Sequence, residues 1–151
     1  MIYFDLDQVL RDLHGHLGYC PLAWTEKISG LSVVKYYSKH PKLLEVAPVT
    51  EYFNYIVSRF NPVHVITSQP ESWIKHTKIW LQQHLPTGHV IYDAHKLQLL
   101  SEDDVLVDDY PLFADYSKVI VIDRPYNRCI QLSHQRVRNV EELATLLEMY
   151  I

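Results

Sequence analysis

The sequence predicts an α/β domain built around a central parallel sheet. Three observations predict it. Short apolar runs rich in β-branched residues recur along the chain, stretches with helical apolar spacing lie between them, and polar residues gather just beyond the runs.

The runs are "IYF" at 2–4, "VHVIT" at 63–67, "HVIY" at 89–92, "DVLV" at 104–107 and "KVIVI" at 118–122. Each is short, nearly continuous and bounded by polar or turn residues, as buried parallel strands are. Helices are expected over 49–60, where Thr50 stands near the start, over 71–85, and over 139–151 with Asn139 as N-cap. Trp73 and Trp80 share the apolar stripe of the second helix and read as core. Right-handed crossovers would join the strands. The stretch from about 13 to 45 breaks the alternation and reads as an insertion after the first strand, with "LSVVKYYSKH" its helical part.

Composition narrows the function. The chain has 151 residues, 48% of them hydrophobic, which suits a single domain over 1–151 with a real core. Its net charge of −4 and lack of any basic run argue mildly against a nucleic-acid polymer as partner. A small phosphorylated molecule remains open, because local charge matters more than net charge. Cys20 and Cys129 lie in no CxxC pattern and read as reduced thiols. The first strand starts at the N-terminus and leaves no room for a signal peptide. No apolar segment approaches the roughly 18 residues of a membrane span. The expectation is a soluble, cytoplasmic protein; eleven tyrosines leave a homodimer contact open.

Ligands of open parallel sheets bind beyond the carboxyl ends of the strands. There the first run is followed by Asp5 and Asp7, the second ends in Thr67 and Ser68, and the fourth leads into Asp108 and Asp109. Lys96 stands before the fourth run. Four carboxylates at one edge repel one another; they take up protons or hold a cation. Mg²⁺ suits an incomplete oxygen cage that leaves room for water and phosphate oxygens.

In this order the motifs resemble those of the haloacid dehalogenase superfamily of phosphotransferases. "DLDQV", "VITS", Lys96 and "VLVDD" match its four motifs in turn. A closer similarity is to the 5'(3')-deoxyribonucleotidase family, through "LLEVAPVTEYFNYI", "ITSQP", "WLQQHLP", "DVLVDDYP" and "VIDRPYNR", which span most of the chain after residue 43. The resemblance implies a Rossmann-like three-layer domain with a small helical cap inserted after the first strand. It implies that Asp5 attacks phosphorus to form an aspartyl-phosphate. Asp7 would protonate the leaving oxygen and later deprotonate water. Thr67, with Ser68 beside it, would bind a phosphoryl oxygen, and Lys96 would neutralise charge. Mg²⁺ would be held by Asp5, the Asp7 carbonyl and one of Asp108 and Asp109, the other standing behind it. In the cap, Tyr19, Trp24, Tyr36 and Tyr37 would contact the substrate beyond its phosphate.

The chain departs from the family pattern at Gln8, where glycine is usual, and at Thr77, where related enzymes carry a lysine three residues before a tryptophan. The Gln8 amide could reach the phosphate or the cap, and Arg11 could steer an anionic substrate. His14 and His16 form an HxH pair with no Cys or His cluster nearby in sequence, which reads as no metal site. The "RPYNR" stretch reads as a loop-shaping segment after the fifth strand. The expected function is Mg²⁺-dependent hydrolysis of a nucleoside monophosphate, preferentially a deoxyribonucleotide. Two alternatives stand: another small phosphomonoester or a nucleic-acid terminal phosphate as substrate, and a catalytically silent fold that only binds.

Overall fold

A computed structural model describes residues 1–18, 20, 26–113, 116–128 and 135–151. Among these, six parallel strands form one sheet: β1 (Ile2–Phe4), β2 (His64–Thr67), β3 (His89–Tyr92), β4 (Val105–Asp108), β5 (Val119–Ile122) and β6 (Arg136–Val137). Their order is β3-β2-β1-β4-β5-β6, so the chain builds outward from β1 first on one side and then on the other. The fold is therefore α/β, as the alternation of runs predicts. β6 has only two residues, too few for a periodic signal, and exists because it pairs with β5 through Val121–Arg136 and Ile122–Val137.

The apolar runs explain strand position. Every residue of β4 and β5 is buried, so both faces of the sheet are covered there. In β3, at the edge, His89 and Ile91 face outward. One face packs on α3 (Phe53–Arg59), α4 (Glu71–His84) and α6 (Val140–Glu148), which contribute Ile56, Trp80, Leu81, Leu143 and Leu147 to the main core. The other face, with Leu106, Val119 and Val121, is covered by Leu97 and Leu100 around α5 (Lys96–Leu99) and by Phe113 in a 3₁₀ turn.

Local chemistry sets the helix ends. The Asn139 side chain accepts the Glu142 amide at 2.8 Å and caps α6. α3 begins at Phe53 rather than at 49. The cause is Thr50, whose hydroxyl donates to the Val9 carbonyl and accepts the Tyr52 amide, holding residues 50–52 in a turn.

Within the stretch that interrupts the alternation, α1 (Val33–Lys39) and α2 (Pro41–Val46) form a second hydrophobic cluster. Leu13, Ile28, Val33, Tyr37 and Leu44 meet Trp73 of α4 there. Tyr19, Trp24 and Cys129 lie outside the described residues. No described helix is long and apolar enough to cross a membrane.

Candidate active site

β1 and β4 are neighbours, with Phe4 opposite Val107, so the residues that follow, Asp5 just past β1 and Asp108 at the end of β4, stand side by side at the carboxyl edge. The Asp5 amide donates to the Val107 carbonyl at 2.9 Å and fixes that alignment. This edge is the point where strand order reverses, with β2 on one flank of β1 and β4 on the other.

Lys96 reaches the same point from the start of α5. Its ammonium donates to Asp5 Oδ1 at 2.6 Å and to Asp108 Oδ2 at 3.0 Å, and its side chain is 3% exposed. The other oxygen of Asp108 accepts the amides of Asp109 and Tyr110, at 2.7 and 3.0 Å. Asp109 accepts a hydrogen bond from the Tyr126 hydroxyl, and its carbonyl accepts from Asn127 Nδ2 at 2.9 Å. Asp5, Asp108 and Asp109 each offer an oxygen within 4.8 Å of the others, a grouping able to hold a cation.

The electrostatics follow from this crowding. Burial, then the Asp108 charge, pushes the Asp5 carboxyl up to about 7, with Lys96 opposing. Burial, then Asp5 and Asp108, raises Asp109 well above the usual carboxylate range, while the Tyr126 hydrogen bond pulls it back. Burial alone would lower the Lys96 ammonium; Asp108 and Asp5 outweigh it and hold its pKa above the ordinary lysine value. One ammonium therefore faces three buried carboxyls. This deficit of positive charge, among oxygen donors only, fits a hard divalent cation such as Mg²⁺.

A cavity of about 420 Å³ opens on the cluster and is lined on its polar side by Asp5, Asp7, Ser68, Lys96, Asp108 and Asp109. Val34, Pro70, Trp73 and Phe113 give it an apolar wall. Lys96 is the one lysine or arginine among the described lining residues. Thr67 is buried at the end of β2 and is not part of the lining; its hydroxyl accepts from Gln69 Nε2 at 3.2 Å.

Asp7 lines the cavity but stands outside the three-carboxylate group, because Arg11 holds its carboxylate. Nε donates to Oδ1 at 2.6 Å and Nη2 to Oδ2 at 3.1 Å. Arg11 is 0% exposed, so it steers no substrate from solution; the expectation of a steering role is corrected. Gln8 also takes another part. Its φ is +66°, the left-handed region that explains why glycine is usual at this turn. Its side-chain oxygen accepts the amides of Leu13 and His14, at 2.6 and 3.3 Å, tying the turn to the start of the insertion rather than to the cavity.

Tyr36 and Tyr37 do not line the cavity either. Tyr37 is fully buried in the second cluster and donates to the Leu13 carbonyl, while its oxygen meets ring nitrogens of His14 and His16. Burial lowers the His14 pKa to about 4, which suits a core histidine. Tyr36 stacks on His16 at 6.0 Å between ring centres.

Sequence reasoning missed Trp73, Phe113 and Tyr126. Trp73 belongs to the second core cluster, as its stripe predicts, yet also walls the cavity. The available signal was its place in the first turn of α4, next to a strand end; Trp80, two turns on, lies beneath the sheet. Phe113 follows Asp109 closely and turns back over Lys96, 6.0 Å from its ammonium. No family model and no curated protein matches the chain.

Proposed function

We propose that this chain is a Mg²⁺-dependent phosphomonoesterase of the haloacid dehalogenase type, hydrolysing nucleoside monophosphates, preferentially deoxyribonucleotides, through an aspartyl-phosphate. On this reading the domain is Rossmann-like and three-layered, and residues 13–45 serve as its small helical cap. The single observation that carries the reading is the chain Asp5–Lys96–Asp108 across adjacent strand ends, with Asp109 in reach.

The chemistry runs in two half-reactions. An Asp5 carboxylate oxygen bonds to phosphorus as the ester P–O bond breaks. The leaving oxygen keeps the electron pair and takes a proton from Asp7. Water then gives a proton to Asp7, its oxygen bonds to phosphorus, and the Asp5–phosphorus link breaks to restore the carboxylate. Lys96 donates to Asp5 and favours its ionised, attacking form against the burial that raises its pKa. Ser68, on the cavity wall, is placed to donate to a phosphoryl oxygen. Asp5, one of Asp108 and Asp109, and the Asp7 carbonyl would hold Mg²⁺, which supplies positive charge to the phosphoryl oxygens.

Substrate choice follows from the walls. One lysine among the described lining residues suits one phosphate group rather than two. Trp73 and Phe113 offer aromatic faces for a base or sugar. The test is phosphate release from deoxyribonucleoside, ribonucleoside and sugar monophosphates, with and without Mg²⁺. We expect metal-dependent turnover that is fastest on a deoxyribonucleotide and is abolished by Asp5→Asn with the circular dichroism unchanged. Undiminished turnover by Asp5→Asn refutes the mechanism.

A further inference from the structure

We infer that Arg11 is a positioning residue: its guanidinium fixes the Asp7 carboxylate in the one orientation that serves proton transfer. The inference rests on the phosphatase reading of Asp7 given above.

Four observations carry it. Both Asp7 oxygens accept from the same planar fork, at 2.6 Å from Nε and 3.1 Å from Nη2. A two-point contact of this kind stops rotation of the carboxylate about its last bond. The fork itself has no freedom. It is 0% exposed, and Nη1 donates to the Leu44 carbonyl of α2 at 2.9 Å and to the Thr77 hydroxyl of α4 at 3.2 Å. Its carbon lies 5.8 Å from the centre of the Trp80 ring.

A buried arginine is expensive unless each charge-bearing group is matched. The three guanidinium nitrogens make four hydrogen bonds here, to Asp7 in the loop after β1, to Leu44 of α2 and to Thr77 of α4, and Asp7 is itself a cavity residue. Packing alone does not need such an arrangement. Proton transfer does: the same carboxyl must meet the leaving oxygen and then the attacking water, and a small misplacement costs rate steeply. Each oxygen of Asp7 keeps a second lone pair for that exchange. Arg11 also ties Asp7 to α2, so displacement of the 33–46 region from α4 disturbs the orientation of the proton donor.

The test uses the dependence on leaving group. A proton donor matters for an alkoxide leaving group and not for 2,4-dinitrophenolate, which departs unprotonated. The value of kcat/KM for each ester is measured in Mg²⁺ for wild type, Arg11→Lys, Thr77→Val and Asp7→Asn. Arg11→Lys keeps the charge and loses the fork. It should lose about 100-fold on an alkyl phosphate and less than about threefold on 2,4-dinitrophenyl phosphate. The ratio between the two esters does not depend on the folded fraction, so partial misfolding leaves the result readable. In an Asp7→Asn background the Arg11→Lys effect on the alkyl ester should vanish.

If Arg11→Lys gives no folded protein, Thr77→Val is decisive, with the same bias in smaller degree expected. Equal losses on both esters, or an undiminished Arg11→Lys effect without Asp7, overturn the inference. A wild-type protein that turns over neither ester removes the phosphatase reading, and this inference with it.

Discussion

Replacing Lys96 by Met asks how much the buried charge cluster depends on this ammonium. Met keeps the length and apolar stem and removes the ammonium, which lies 2.6 Å from Asp5 and 3.0 Å from Asp108. At an effective dielectric of about 20, each pair attracts by roughly 6 kcal/mol before desolvation is counted. Desolvation offsets most of that, and removing one partner of a buried pair costs about 3–5 kcal/mol net. The loss depends on pH, because the carboxyls can take up protons instead. In wild type the folded Asp5 carboxyl is raised from 3.8 to about 7. A group raised on folding stabilises below its unfolded pKa, and that stability is lost as pH rises through its folded pKa. Lys96 opposes the rise, so its removal pushes Asp5 higher and extends the loss to higher pH. We expect Lys96→Met to cost about 1 kcal/mol at pH 5 and about 4 kcal/mol at pH 8. Mg²⁺ should restore part of the pH 8 loss by binding the folded state. Urea unfolding followed by tryptophan fluorescence measures this. A loss of the same size at both pH values, or none at pH 8, refutes the account of the cluster.

Two further substitutions test its surroundings. Tyr126→Phe removes the hydrogen bond that favours ionised Asp109; as ligand or as the carboxylate behind the ligand, Asp109 adds to the proposed site only when deprotonated, so Mg²⁺ affinity measured by calorimetry should fall about 10- to 100-fold while the fold persists. Gln8→Gly relieves the left-handed turn, worth about 1 kcal/mol, but strands the buried amides of Leu13 and His14, worth about 1–3 kcal/mol. A net destabilisation of about 1 kcal/mol in thermal or urea melts is expected, and a stabilised variant would show that the side chain caps nothing.

The meeting of Asp5 with Asp108 was legible in the sequence because it depends on two short-range facts. Each aspartate ends an apolar run, and parallel strands align their carboxyl ends. Gln8 was legible as an anomaly, since a glycine-preferring turn is a local property of the backbone. The role of Arg11 was not legible. An arginine just past the acidic pair reads as a group that could steer an anionic substrate, not as a buried partner of Asp7. What buries it is the arrival of Leu44 and Thr77, separated from it by 33 and 66 positions, and no local pattern announces a carbonyl and a hydroxyl converging on a guanidinium. Tyr36 and Tyr37 stand away from the cavity for a related reason. Tyr37 has the composition of a stacking residue, but helix phase turns its ring into the second core and leaves Val34 at the cavity mouth. Strand ends thus localise the acidic groups, while the packing of the 33–46 region on α4 decides which side chains surround them. The same packing holds Asp7 through Arg11, so the orientation of a carboxylate near the N-terminus is set by a carbonyl on α2 and a hydroxyl on α4.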